Sequence, residues 1–324
     1  MIDASRVSAE MTSVHVHATR AVGQRRPRYP IDGVLLLDKP VGPSSTRVLG
    51  HVKHLLSAAK AGHGGTLDPM ASGLLPLMFG EATKYAAEGL DADKTYIAEI
   101  ALGTKTTTGD REGDVVAQAD VPVDLSVTVI ENVVKKFVGP QSQVPPLYSA
   151  IKKDGKALYA YARAGQDVVR EPRSIVIHEL RLQSVALPAL TVLVKCSKGT
   201  YVRTLAEDIG AALGLPAHLQ ALRRIGVGAL MASEMVSLET FEQASEQERL
   251  SLLKPVDWLI RDWPQVVLGA AQVRRFVHGQ SVMLSDGTPP TIVRVKTESG
   301  EFLGTGRVDM HHLLNPERVR VLSS

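Results

Sequence analysis

Asp68, set before Pro69 in the glycine-rich stretch 61–73, is the residue in this 324-residue chain best placed to do chemistry. A carboxylate in such a loop can attack carbon, take a proton or stabilise developing positive charge. The same local feature equally suits an ordinary turn, in which the aspartate bonds its own backbone. Other chemistries find less support. His51 and His54 stand at i, i+3, but no His-Glu-x-x-His or Cys-x-x-Cys spacing exists, so they read as a solvated helix face. Gly62-His63-Gly64-Gly65 has the look of a phosphate loop, yet position 67 is leucine and no Gly-Lys-Ser/Thr follows any glycine loop. The pattern therefore favours a reaction with no metal and no cofactor. The single cysteine, Cys196, ends an apolar stretch with no activating base nearby and reads as an inert thiol.

Charge locates a second kind of chemistry, contact with phosphate. The net charge of +3 is only mildly basic, but it is unevenly spread. Residues 1–30 carry five arginines against Asp3 and Glu10. Residues 150–175 carry Lys152, Lys153, Lys156, Arg163, Arg170 and Arg173 against three acids. Each segment is a solvated surface or a nucleic-acid contact. A lone cysteine excludes an internal disulfide and favours a reducing compartment. No apolar run is long enough to span a membrane, and the N-terminus lacks the apolar core of a secretory signal, so a cytoplasmic protein is expected.

The elements that must position Asp68 follow from pattern. Residues 33–37 read as a buried strand, broken by a loop at 38–43. Ser44 or Ser45 caps a helix whose face carries Val48, Leu49, Val52, Leu55 and Leu56. After the Asp68 loop a short helix is expected over Leu74–Tyr85. Residues 94–102 alternate as a strand, with Tyr96, Ala98, Ile100 and Leu102 on one face. A helix is expected at 127–137 and another near 156–164. Strands follow at 174–186 and 190–196, then a helix at 200–213 closed by Gly214. A linker at 244–264 leads to a β-rich unit with a helix at 271–278 and a hairpin over 291–309 turning at Ser299-Gly300.

These segments carry a resemblance. Gly62-His63-Gly64-Gly65-Thr66-Leu67-Asp68-Pro69-Met70-Ala71-Ser72-Gly73 resembles the catalytic motif of the TruB family of bacterial tRNA pseudouridine synthases, which act at tRNA position 55. Leu37-Asp38-Lys39-Pro40-Val41-Gly42-Pro43-Ser44-Ser45, Lys94-Thr95-Tyr96 through Asp110, and Pro145-Pro146-Leu147-Tyr148-Ser149-Ala150-Ile151-Lys152 resemble further family motifs in the family's order. So do Cys196 through Thr204 and the pair Ala217-His218-Leu219 and Leu222-Arg223-Arg224, so that the match spans about residues 33–228. One departure is Gly64, where the family reads threonine; a glycine there loosens the loop but removes no reactive group.

The resemblance implies an α+β fold: a mixed, largely antiparallel central sheet flanked by helices, plus a small C-terminal β-rich, PUA-like domain. It implies a flexible basic tail at 1–30, a catalytic domain at 31–250 with an RNA-gripping insertion at about 144–173, and a PUA-like RNA-binding domain at 255–324. The implied reaction isomerises a T-loop uridine of tRNA, with base flipping and no cofactor. Asp68 would be the catalytic carboxylate, Arg203 its ion-pair partner and Tyr96 the ring that stacks on the base. His63 would contact the displaced T-loop, Tyr201 and Leu222 would line the pocket, and Lys152 and Lys156 would grip phosphates. The implied partner is tRNA alone, with a monomeric enzyme and no obligate protein partner. The competing readings are a non-catalytic RNA-binding or RNA-refolding protein, and a guide-RNA-dependent synthase acting on ribosomal RNA.

Overall fold

The computed structural model describes residues 27–320 except Ala150, Asp167 and Asp286, and it leaves the side chains of Lys152, Lys153, Ala157 and Arg163 undescribed. The expected tail at 1–30 thus lies almost wholly outside the described residues.

The chain opens on strand β1 (Gly33–Lys39), buried along nearly its whole length as a strand covered on both faces must be. Helix α1 (Ser45–Leu55) follows. Ser44 caps it by accepting the Arg47 N–H, and Val48, Val52 and Leu56 turn into the core. Strands β2 (Ala61–His63) and β3 (Ala71–Phe79) flank the Asp68 loop.

The helix expected over Leu74–Tyr85 is largely absent. Residues 71–79 are strand β3, and only Gly80–Tyr85, a 3-10 helix, and α2 (Ala86–Asp91) are helical. The apolar run Leu74–Phe79 is buried on both faces beside β1, and periodicity alone does not tell such a strand from a buried helix.

Strand β4 (Lys94–Leu102) shows strict alternation, every second side chain from Lys94 to Leu102 being buried. There follow the hairpin β5 (Thr104–Thr106) and β6 (Val115–Gln118), helix α3 (Val127–Lys135) and strand β7 (Gly139–Gln143). A small hairpin, β8 (Lys152–Lys153) and β9 (Lys156–Ala157), takes the first residues of the helix expected near 156–164, leaving α4 (Leu158–Arg163). Strands β10 (Arg173–Ala186) and β11 (Ala189–Cys196), helix α5 (Val202–Ala212) and strand β12 (Ala217–Val227) complete the centre, with short β13 (Leu230–Met231) and β14 (Val236–Ser237) after it.

The main sheet runs β14-β1-β3-β12-β4-β11-β10-β7, with β2 added on β3 and β13 on β12. Its pairs are antiparallel except β1–β14 and β3–β12, so it is mixed and largely antiparallel as expected.

The segment 244–264 is not a plain linker. After α6 (Leu238–Gln243) comes α7 (Glu246–Ser251), closed by a Ser245–Glu248 capping box, and then a 3-10 turn at Trp258–Ile260. Val256 and Ile260 are buried against Val34, Leu36 and Met78, which fastens the segment to the main sheet. The second sheet, β15-β17-β18-β19-β16, is built from β15 (Gln265–Leu268), β16 (Val282–Met283), β17 (Thr291–Thr297), β18 (Phe302–Val308) and β19 (Leu313–Val319). Helix α8 (Ala270–Val277) covers it with Phe276. The hairpin turn falls at Ser299-Gly300, where Gly300 takes φ +85°. No helix among the described residues is long and apolar enough to cross a membrane.

Candidate active site

The loop between β2 and β3 is held from both ends. Ser45, the first residue of α1, accepts the Leu67 N–H at 2.8 Å and donates to the Leu67 carbonyl at 2.9 Å. Gly42 N–H donates to Pro69 O at 2.8 Å. The two serines therefore divide the work: Ser44 caps the helix and Ser45 pins the loop. Leu67 and Met70 are buried on either side, which turns Asp68 toward a cavity of about 390 Å³. The Gly64 departure does not leave the loop free. Gly64 N–H donates to Pro76 O at 2.9 Å, and its backbone lies so close to α2 that a Cβ on Gly89 would stand 3.3 Å from Gly64 Cα.

Arg203, at the start of α5, faces Asp68 across the cavity, Nη2 to Oδ2 being 3.1 Å. The arginine side chain is only 7% exposed, so it is not a helix-surface cation of small worth. Its Nη2 also donates to Tyr148 O at 2.9 Å and its Nη1 to Thr108 O at 3.0 Å. A second carboxylate, Asp110, lies 3.4 Å from Nη1. Asp110 is buried and is itself held by the Thr108 hydroxyl at 2.7 Å and the Glu112 N–H at 3.0 Å. One guanidinium thus serves two acids. Burial, with Asp110 adding to it, pushes the Asp68 carboxyl above the ordinary aspartate range, against the pull of Arg203 and Lys39.

Tyr96 on β4 and Leu222 on β12 form the apolar wall. Burial raises the Tyr96 phenol, against the pull of the Arg224 guanidinium. Tyr201 sits at the N-cap of α5, where its backbone N–H donates to Gln143 Oε1 at 2.8 Å. Its own phenol is likewise raised by burial. The structure therefore brings Asp68, Tyr96, Tyr201, Arg203 and Leu222 around one cavity.

Other expected residues lie elsewhere. His63 ends β2, half-buried and off the cavity wall; among the described residues its Nδ1 has no hydrogen-bond partner, and burial together with Arg224 depresses its basicity. Lys156 is exposed on β9, and the Lys152 side chain is outside the described residues.

Four charged residues fell within the quoted motifs but were given no role there. Lys39 donates to Pro40 O and Ala71 O at 2.8 Å each, and burial brings it down to about 8. Lys94 donates to Leu90 O and Ala92 O and is brought to about 8 in the same way. Asp110 and Arg224 complete the set. A signal for Arg224 existed: on a strand, residues two apart share a face, so an inward Leu222 implies an inward Arg224. Arg223, on the opposite face, pairs with Asp38 at 2.6 Å. Among the described residues no group of three or more His, Cys, Asp or Glu is arranged to hold a metal ion.

Comparison with known proteins gives the family. The profile "TruB family pseudouridylate synthase (N terminal domain)" matches residues 53–202. The profile "tRNA pseudouridylate synthase B C-terminal domain" matches 203–261, and "Pseudouridine synthase II TruB, C-terminal" matches 264–319. The chain is 52% identical over 303 residues to a "tRNA pseudouridine synthase B" of Burkholderia mallei, covering 92% of this chain and 96% of the relative. It is 50% identical over 304 residues to the protein of that name in Cupriavidus metallidurans, covering 91% and 96%. Among solved structures it resembles a "Cbf5-Nop10-Gar1 Complex", with TM-score 0.65 and 27% identity over 89% of this chain and 84% of that one. An "archaeal box H/ACA sRNP Nop10-Cbf5 complex" gives TM-score 0.64 and 25% identity over 89% and 85%. With profiles covering nearly all of residues 53–319, and relatives about half identical over more than nine tenths of the chain, the chain belongs to the TruB family of tRNA pseudouridine synthases, which are isomerases.

Proposed function

We propose that the chain converts the T-loop uridine at tRNA position 55 to pseudouridine, in the cytoplasm, as a monomer without a guide RNA or protein partner. The observation that carries this reading is the Asp68 carboxylate 3.1 Å from a buried guanidinium, in a base-sized cavity walled by Tyr96. The reaction moves bonds without gaining or losing atoms. The N1–C1′ bond breaks, the uracil turns, C5 bonds to C1′, the C5 proton leaves and N1 takes one up. No redox partner or energy source is required.

A stacked base cannot reach this cavity, so the nucleotide must be everted first. Tyr96 holds the everted uracil by its face, which an aromatic ring does in any rotation. Asp68 delivers its carboxylate to the ribose C1′ or the uracil C6. A glycosidase flanks its bond with two carboxylates. Here the leaving base is recaptured, so a single reacting carboxylate serves. Arg203 aims that carboxylate, and Asp110 in turn fixes Arg203. Leu222 excludes water, and Tyr201 stands where it could move the C5 proton. His63, beside the loop, would meet the displaced T-loop.

The segment 144–173 is the proposed clamp on the tRNA backbone, and the sheet at 265–319 the proposed PUA-like RNA-binding domain. Charge reversal at Lys156 or Lys152 is expected to weaken tRNA binding and lower the slope of log affinity against log salt by about 1. Unchanged affinity across a salt series counts against the clamp.

The deciding assay is tritium release from C5-labelled tRNA transcript. Wild type should release tritium from unguided transcript, and Asp68→Asn should bind the RNA yet release none. Release by Asp68→Asn, or none by wild type, defeats the proposal. The likeness to proteins of H/ACA particles favours a second, guide-dependent reading, and wild-type activity on bare transcript disposes of it.

A further inference from the structure

Arg224 is a fully buried guanidinium, 1% exposed, and among the described residues it forms no ion pair with a carboxylate. A buried cation is retained only where its donors are well used. Its Nε donates to Leu74 O at 2.7 Å and its Nη2 to Gly65 O at 3.0 Å. These two carbonyls are the two ends of the stretch that contains Asp68. Tyr96 is the residue directly opposite it across the β12–β4 ladder, near enough for the guanidinium to oppose the rise of the phenol.

The backbone around it is shaped for this role. Gly73 pairs with Arg224 on β3 at φ +100°, and a Cβ there would stand 2.2 Å from Arg224 O. Gly65 takes φ +107°, and a Cβ there would stand 3.4 Å from Arg224 Nη1. A register shift in β12 follows Arg224 immediately, as a bulge that aims a side chain does.

We propose that Arg224 is a positioning residue: its guanidinium joins both ends of the Asp68 loop and the Tyr96 hydroxyl into one rigid unit, which fixes the distance between carboxylate and stacking ring. The catalytic side of this inference rests on the function proposed above. Its structural side does not. The clamp matters because a turning base needs both contacts held while neither is held by the base itself.

Arg224→Lys keeps the charge but loses the planar fork, and Tyr96→Phe removes the hydroxyl. Hydrogen exchange on the free protein should show residues 65–74 exchanging faster in Arg224→Lys, with α5 unchanged. Unchanged exchange in that loop overturns the clamp whether or not the protein acts on tRNA. Single-turnover tritium release at saturating transcript should slow about tenfold or more, while the tRNA Kd moves less than about threefold. A wild-type rate, or a loss confined to Kd, overturns the positioning role. Arg224→Lys and Tyr96→Phe should be strongly non-additive in rate, because each disturbs the same facing pair; additive effects overturn the link between them. Should Arg224→Gln fail to fold, Arg224→Lys carries the test. Wild type that releases no tritium defeats the proposed function, and the exchange measurement still decides the clamp.

Discussion

The Asp68 carboxyl is 40% exposed in a cavity whose walls oppose its charge less than they desolvate it. Its raised position has two measurable consequences. A reaction needing the carboxylate should lose rate as pH falls, with a midpoint above the ordinary aspartate value of 3.8. A pH–rate profile of single-turnover tritium release checks this, and a rate still flat down to pH 3.8 contradicts it. For stability the sign is reversed. Folding favours the protonated form, so the ionised carboxyl costs stability at neutral pH, and that cost disappears as acid titrates the folded-state group. Asp68→Asn should therefore be at least as heat-stable as wild type at neutral pH, and the difference should shrink on acidification. A melting temperature clearly below wild type at neutral pH would refute this assignment of forces.

Strand β3 shows how an element is set by its neighbours. Gly73 lets β3 lie against the Arg224 backbone, where a Cβ would collide at 2.2 Å and φ is +100°. Gly73→Ala should cost about 2 kcal/mol or more in denaturant unfolding, and a loss within error of zero contradicts the close approach. Nothing local in Leu74–Phe79 announces a strand, since a wholly apolar stretch has no polar face to reveal its period. Strand β4 was legible because one face meets the core and the other does not, so Tyr96, Ala98, Ile100 and Leu102 alternate. The site divides along the same line. Asp68, Arg203 and Tyr96, to which the family resemblance pointed, lie around one cavity. The roles of Asp110 and Lys94 were not legible, because their partners are backbone groups and residues distant in sequence. The segment 244–264 misled because its apolar residues, Val256 and Ile260 among them, are interrupted by Ser251, Pro255, Asp257 and Pro264 and keep no steady period.

At the scale of the molecule, the two sheets meet through charge as well as apolar surface. Asp257, 5% exposed, pairs with Arg294 and Lys296 of β17 at 3.0 Å each. Asp257→Ala leaves two half-buried cations uncompensated and should cost about 3–5 kcal/mol. Calorimetry should then resolve a separate, earlier transition for the 265–319 sheet; a single transition at the wild-type temperature would contradict the coupling.

The short helix α2, six residues long, touches both halves of the protein. Glu88 receives Arg318 of β19 at 3.3 Å, while the next residue, Gly89, rests on Gly64 at the base of the Asp68 loop. Just before it, Tyr85 packs edge-on against Phe302 of β18. A truncation meant to isolate the catalytic half would strip this helix of its outer support. Such a fragment should turn over more slowly even on a minimal hairpin too small to reach the missing part.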